Sequence, residues 1–363
     1  ILKHLSLCYK KHSMKRKDLS ALKLKELVLN KKISLIYSNF RFQLNKHIKK
    51  NNFLVAVSGG SDSLSLSALS KAFCDEKKNK VYYVLIDHGI RANSSKEALL
   101  VKTLLKKRGM TLTVLKNKKK INKNIQSHAR IIRYQLLLNY CRKKKIKFIM
   151  TGHHRDDQIE TFLIRLSRGS GIQGLSSMNK MTKLNSKTKL FRPLLNTNKE
   201  DLIFLAKKYF GKIFRDPSNT NHKYLRTNVR NLIKQFEKSG IKRDQIINSI
   251  NNLAATRDTL NSYTRAIEKK CLNKKKGAVY IDLKNFLLQN NDIQLKILSN
   301  SLKYVSKNYY PPRAKKILSL MSRIGLKKEM KATLGGCMVI KRQFNLIIFR
   351  EKLKKEPKTL SFS

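Results

Sequence analysis

Residues 53–66 read Phe53-Leu-Val-Ala-Val57-Ser58-Gly59-Gly60-Ser61-Asp62-Ser63-Leu64-Ser65-Leu66. A short apolar run closed by Ser-Gly-Gly reads as a buried strand. From Ser61 onward, Leu64, Ala68 and Leu69 stand at helical spacing, which predicts a helix over 61–72. Two glycines between strand and helix let a ligand approach the backbone closely. The helix start offers N–H groups and a positive dipole end, which suits a phosphate chain. The hydroxyls of Ser58, Ser61 and Ser63 add donors. Asp62 would repel phosphates, so its presence makes sense where it holds Mg2+ or orients a reacting group. The plain alternative is a Gly-Ser turn with Asp62 at the helix start. No GKS or GKT follows, so this is not a Walker A loop.

Outward from this stretch, strands and helices alternate. Strands are predicted at Val81–Ile86, Thr111–Leu115 and Phe148–Thr151, with helices over 96–107, 125–144 and about 156–167. That alternation predicts an α/β domain with a parallel, Rossmann-like sheet and right-handed crossovers. Ligands of such sheets bind at the carboxyl ends of the strands. The unusual sequence, at 58–63, 87–91 and 152–160, falls at those ends. Beyond about 235 the chain turns to Ile, Leu, Asn and Lys at helical spacing, with one strand-like stretch, Ala278–Asp282. Two further strand-like runs, 334–340 and 344–349, are candidates to pair. The expected organisation is therefore a basic N-terminal extension over 1–49, a catalytic domain over 50–235, a smaller mainly helical domain over 240–330 for substrate or RNA, and a short β-containing C-terminal segment over 331–363.

The chain has 363 residues, with 81 Lys and Arg against 22 Asp and Glu, a formal net charge of +59. Lys supplies 60 of those bases, which also fits a coding bias toward A and T. A field this positive attracts nucleic acid whatever its origin. Hydrophobic residues at 41% supply a real core and argue against a disordered basic tail. No run of apolar residues is long enough to span a membrane. Cys8, Cys74, Cys141, Cys271 and Cys337 form no CxxC pair. That disfavours a structural zinc or iron–sulfur site and points to a reducing compartment.

Three acids stand within five residues of Thr151-Gly-His153-His154-Arg-Asp156-Asp157-Gln-Ile-Glu160-Thr161. On a helix Asp157 and Glu160 share a face while Asp156 points elsewhere. The pair suits an ammonium or a metal; charges that complete the helix dipole are the alternative. Arg168-Gly169-Ser-Gly171-Ile-Gln-Gly174 has GxGxxG spacing, but a predicted helix precedes it where a dinucleotide site needs a strand. It reads as a loop that shapes the site.

These motifs carry a resemblance. Ser58–Ser63 resembles the SGGxDS loop of PP-loop ATP pyrophosphatases, which cleave ATP between the α and β phosphates. The 153–161 segment is similar to the HxxDDQxET signature of the tRNA(Ile)-lysidine synthetases, and 168–178 to their RGSGxxGLxxM segment. Asp87-His-Gly-Ile-Arg91 resembles their HHGLR with Asp in place of the first His. Ala129-Arg130-Ile-Ile-Arg133-Tyr134 resembles their ARxxRY, and Phe191-Arg192-Pro-Leu-Leu195 their RPLL. Asp216–Asn219 with Tyr224–Arg230 resembles their DxSN and arginine-rich stretch. The likeness covers about residues 50–235 and is weak beyond 240.

The resemblance implies a ligase that adds L-lysine to carbon 2 of the wobble cytidine of tRNA(Ile) with anticodon CAU. ATP activates the base through an adenylated intermediate, and AUG specificity becomes AUA. It implies ATP at Ser58, Gly59, Gly60, Ser61, Asp62, Ser63 and His153, with Mg2+ at Asp62. Asp62 and Arg133 become catalytic, Asp157 and Glu160 lysine-binding. Arg130, Arg168, Arg226 and Arg230 become contacts to tRNA or the active site. The expected compartment is cytoplasmic, or a stroma or matrix for an organelle-encoded chain. The oligomeric state stays open between monomer and homodimer. The rivals are a PP-loop tRNA thiolase, disfavoured by the lack of CxxC, and an inactive basic RNA-binding protein.

Overall fold

The computed structural model describes residues 30–90, 93–117, 125–214, 225–275, 277–308, 311–326 and 328–351. The chain divides into two compact units, residues 1–251 and 252–363.

The first unit opens with α1 (Lys31–His47), followed by β1 (Phe53–Val57), α2 (Ser61–Glu76), β2 (Val81–Asp87), α3 (Ser94–Lys106), β3 (Leu112–Lys116), α4 (Ile125–Lys143) and β4 (Phe148–Met150). Then come α5 (Arg155–Leu166), α6 (Ile172–Leu175), β5 (Met181–Lys183), β6 (Lys189–Phe191), α7 (Lys199–Phe210) and α8 (Leu225–Lys238). The helix α9 (Arg243–Cys271) follows, and the division between units falls within it. The sheet order is β3-β2-β1-β4-β6-β5. All pairings are parallel except β5 with β6. Pleating sends alternate residues of β1 to opposite faces. Phe53, Val55 and Val57 enter a core with residues of α1, α2, α3 and α7, while Leu54 joins Leu137 and Cys141 of α4 behind the sheet. Both faces are covered, which explains why β1 is apolar throughout rather than alternating.

The serines of α2 are part of that packing. Ser65 Oγ donates to the Leu202 carbonyl at 2.6 Å and Ser67 Oγ to the Ser63 carbonyl at 2.7 Å. These small side chains let α2 lie close against α7, and the hydroxyls of Ser65 and Ser67 are satisfied by carbonyls as they do so.

Two expected boundaries are corrected. Residues 31–48 are not part of an extension: Ile33, Phe40, Leu44 and Ile48 are fully buried in the core of the sheet domain. The basic residues of α1 occupy its outer face, so net charge concealed an amphipathic helix. The division into 240–330 and 331–363 also fails. In the second unit β7 (Leu272–Lys275) and β8 (Ala278–Asp282) join β9 (Met330–Leu334), β10 (Cys337–Arg342) and β11 (Asn345–Arg350) in one antiparallel sheet, ordered β7-β8-β11-β10-β9. The helices α10 (Leu283–Leu287), α11 (Asn291–Ser306) and α12 (Ala314–Leu326) share one core with it, built on Val279, Ile281, Ile297, Leu302, Val339 and Ile348. The two C-terminal runs pair as expected, with Cys337 opposite Arg350 and Arg342 opposite Asn345. No described helix is long and apolar enough to cross a membrane.

Candidate active site

The turn after β1 is held by its own backbone and by Ser63. Gly59 has φ +87°, a left-handed conformation suited to glycine, and a Cβ there would lie 2.7 Å from Val101 Cγ2 of α3. Ser63 Oγ donates to the Gly60 carbonyl at 3.0 Å and accepts from the Ser58 amide and hydroxyl, each at 3.1 Å. Ser63 is thus a brace for the loop rather than an outward donor. The Phe214 amide donates to the Gly59 carbonyl at 3.2 Å and fixes the loop from the other side. α2 begins at Ser61 behind Gly60, so its dipole end faces the strand tips.

β4 delivers the second half of the site. Gly152 sits so near the start of α2 that a Cβ there would be 2.8 Å from the Asp62 carbonyl. Any side chain would push the two strand tips apart. The next residues, His153 and His154, therefore land beside Asp62. His154 is 2% exposed. It caps α5: its Nδ1 accepts the Asp156 amide at 3.2 Å, while Asp157 Oδ2 accepts the His154 amide at 3.0 Å. With Nδ1 accepting, the neutral ring carries its proton on Nε2. That atom lies 3.6 Å from both Asp62 Oδ2 and Asp157 Oδ2. Burial opposes charge on His154, but Asp62 and Asp157 outweigh it and raise its pKa. Burial likewise works to raise the Asp62 pKa, yet His154, Ser61 and Lys199 bring it below the usual carboxylate range.

His153 has the opposite environment. Its Nδ1 is 2.7 Å from Thr151 Oγ1. Burial, then the charges of Arg192, Arg130 and Arg226, push its pKa down to about 4 against the pull of Asp157. Arg130 stacks on the Tyr134 ring at 5.2 Å and is, with Arg226, an electrostatic neighbour of Arg133. His88, at the end of β2, lies near Arg133, and among the described residues neither of its ring nitrogens has a hydrogen-bond partner. The strand tips thus carry a cationic side around His153 and a carboxylate side around His154.

The three acids of α5 are committed to partners. Asp156 accepts from Arg243 at 3.0 Å, and Asp157 takes part in the cap. Glu160 is 2% exposed and receives Arg230 Nε at 2.5 Å. Glu160 does not meet solvent as an open ammonium ligand, because a guanidinium covers it. Arg230, expected as a contact to tRNA or the active site, is held on that carboxylate. Arg168 is exposed at the end of α5. The loop after it folds back through Arg165, which donates to the carbonyls of Gly174 at 2.7 Å and Ser177 at 2.9 Å. Gln158 clamps Met178 with two bonds, at 2.8 and 3.1 Å. Asp87 is buried and accepts from Gly89 and Ser95, so it anchors the β2 turn. Arg91, Asp216–Asn219 and Tyr224 lie outside the described residues. Sequence reasoning missed the roles of His154, Gly152 and Arg165. The cap signature, a residue before the helix followed three places on by Asp157, was the available signal for His154.

A parallel sheet whose first strand ends in a glycine loop, with an acid at the helix start and a second motif from the neighbouring strand, defines a PP-loop nucleotide-binding enzyme. Residues 29–236 match the PP-loop domain family. The tRNA(Ile)-lysidine synthase of Wolbachia pipientis wMel is 36% identical over 319 residues, covering 86% of this chain and 73% of the relative. That of Orientia tsutsugamushi (strain Boryong) is 34% identical, covering 82% of this chain and 69% of the relative. The chain belongs to the tRNA(Ile)-lysidine synthase family. Among solved structures, a U34-tRNA thiolase from Methanococcus maripaludis shares the fold, with a TM-score of 0.53 and 19% identity over 62% of this chain and 80% of that one.

Proposed function

We propose that this chain attaches L-lysine to carbon 2 of the wobble cytidine in tRNA(Ile) of anticodon CAU, using ATP. Carbon 2 bears a carbonyl oxygen, a poor leaving group. That oxygen attacks the α phosphate of ATP and pyrophosphate departs. The neutral lysine ε-amine then attacks carbon 2, the carbon–oxygen bond breaks, AMP leaves with the electron pair, and the amine's proton passes to a nearby carboxylate. The observation that carries this reading is the meeting of two strand tips. The Gly59-Gly60 turn and the start of α2 offer backbone donors to a triphosphate, while Asp62, His154 and Asp157 converge beside it.

The first step is positioning and charge neutralisation. The Ser58–Ser63 backbone and Ser61 serve the phosphates, and neutral His153 donates to one of them. Arg133 answers charge that develops on phosphate or base. Asp157 receives the lysine amine. Asp62 fits Mg2+: its carboxylate is partly exposed, carries its charge at neutral pH, and such sites use one or two carboxylates besides nucleotide oxygens. The ion would neutralise phosphate charge there. Arg130 and Arg226 supply contacts to the RNA, and Arg168 extends them along the loop after α5. A tRNA substrate places the reaction in the cytoplasm, or in a stroma or matrix for an organelle-encoded chain.

The test combines the protein, ATP, Mg2+, labelled lysine and CAU-anticodon tRNA(Ile). Label enters the tRNA with the native chain. With Asp62→Ala incorporation falls by on the order of a hundredfold or more, while tRNA affinity is kept. Equal incorporation by both proteins would overturn the assignment.

A further inference from the structure

The bases of α1 do not share one environment. Lys32 Nζ is 2.7 Å from Asp201 of α7, and Arg41 Nε is 3.3 Å from Glu76 of α2. The last turn of the helix meets another base instead. Lys180, the residue before β5, donates from Nζ to Gln43 Oε1 at 3.1 Å. Lys46 lies within its electrostatic reach, and both act on His47. Burial, then Lys180 and Lys46, lower the proton affinity of His47; burial, then Lys46, lowers that of Lys180. Among the described residues no carboxylate pairs with Lys46, His47 or Lys180. Cations at a helix C-terminus complete its dipole, which accounts for Lys46. It does not account for Lys180, which a different element brings to the same place.

That element is braced. The Arg192 amide donates to the Lys180 carbonyl at 2.9 Å, and Arg192 Nη1 donates to the Asn179 carbonyl at 2.6 Å and to Thr182 Oγ1 at 2.9 Å. From the other side the His47 ring packs on Phe191 with centroids 5.4 Å apart. Lys180 is therefore fixed where β6 ends, beside the last turn of α1. Like charges held together this way repel, and an anion among them offsets that cost. A triphosphate at the β1 turn lies elsewhere: in the order β1-β4-β6-β5 the two places are three strand spacings apart, about 14 Å. A nucleic acid repeats its negative charge along its length, so one chain serves both. Arg192, whose charge acts on His153, stands between the strand tips and Lys180. We propose that Lys46 and Lys180 bind the phosphate backbone of the RNA substrate where it leaves the strand tips over the β5 edge of the sheet. The inference rests on the reading that the chain acts on tRNA.

The test measures tRNA affinity of the full chain against salt, between about 50 and 200 mM. In Lys46→Gln/Lys180→Gln the slope of log affinity against log salt falls by about two, so the advantage of the native protein shrinks roughly tenfold across that range. Lys46 is exposed, so Lys46→Gln alone leaves the packing intact and lowers the slope by about one. Lys180→Arg keeps the charge and the native slope. The charge-matched control is Lys102→Gln/Lys106→Gln, exposed residues of α3, which packs on β2 and β3 at the opposite edge; its slope stays native. ATP affinity without RNA is the same in all these proteins. An unchanged slope in Lys46→Gln and in the double variant overturns the proposal. An equal fall in the control pair overturns it too, because net charge rather than this place would then be responsible. Weakened ATP binding at a native tRNA slope would assign the cluster to the nucleotide and has the same force. If the native protein neither binds CAU-anticodon tRNA(Ile) nor incorporates lysine, the reading fails and the proposal falls with it. If it incorporates lysine while the double variant keeps the native slope, this contact alone fails.

Discussion

At the scale of single residues, two adjacent histidines are driven in opposite directions by what faces them. His153 is half-buried among arginines and stays neutral; His154 is buried between carboxylates and gains proton affinity. A proton on His154 Nδ1 would set it against the Asp156 amide that it now accepts, so the helix cap opposes charging the ring. For His153 the linkage has a definite sign. Its folded pKa, about 4, lies below the ordinary value of 6.5, so the unfolded chain binds the proton first as pH falls. The contribution to stability is fully present above about pH 6.5 and is lost progressively down to about pH 4. Thermal midpoints over that window should fall more steeply for the native protein than for His153→Gln. Parallel curves would show that His153 is not held neutral by this environment.

At the scale of elements, α1 decides how much of the basic N-terminal region belongs to the fold. Phe40 is 1% exposed in the main core, so Phe40→Ala should cost about 3–5 kcal/mol, read from urea denaturation. A loss below about 1 kcal/mol would mean that α1 is dispensable. Legibility in the sequence followed the range of the interactions. The turn from β1 to α2 is local, and its glycines, serines and acid announce it; the cap on α5 is local too, but a histidine in the capping place hid it. The strands of the parallel sheet are short, buried and apolar, so periodicity finds them too. β5 and β6 have three residues each, as β4 does, but Met-Thr-Lys and Lys-Leu-Phe lack the unbroken apolar run of Phe148-Ile-Met150 that marks β4. The Glu160–Arg230 bond joins residues 70 apart in sequence, and nothing local to either residue reveals it. The same holds for Gly152 against Asp62. α1 was concealed because its lysines and arginines dominate composition, whereas Ile33, Ile36, Phe40 and Leu44 form the face that counts. The C-terminal strands were visible individually, but their union with β7 and β8 depends on tertiary pairing across most of the second unit.

At the scale of the whole molecule, a net +59 gives strong but unspecific attraction to RNA, and specificity must come from the site. Affinity for tRNA should therefore fall steeply with salt. About six phosphate contacts would lower it by roughly a thousandfold between 50 and 200 mM. Arg226→Ala should reduce the salt slope by about one if Arg226 meets a phosphate; an unchanged slope would remove it from the interface. What distinguishes this enzyme chemistry most directly is which bond of ATP the β1 turn presents for reaction. With ATP labelled separately at the α and γ phosphates, and CAU-anticodon tRNA(Ile) supplied without lysine, the products identify that bond. The arrangement predicts pyrophosphate release with the α label carried onto the tRNA. Release of inorganic phosphate and ADP, with no α label on the tRNA, would contradict it.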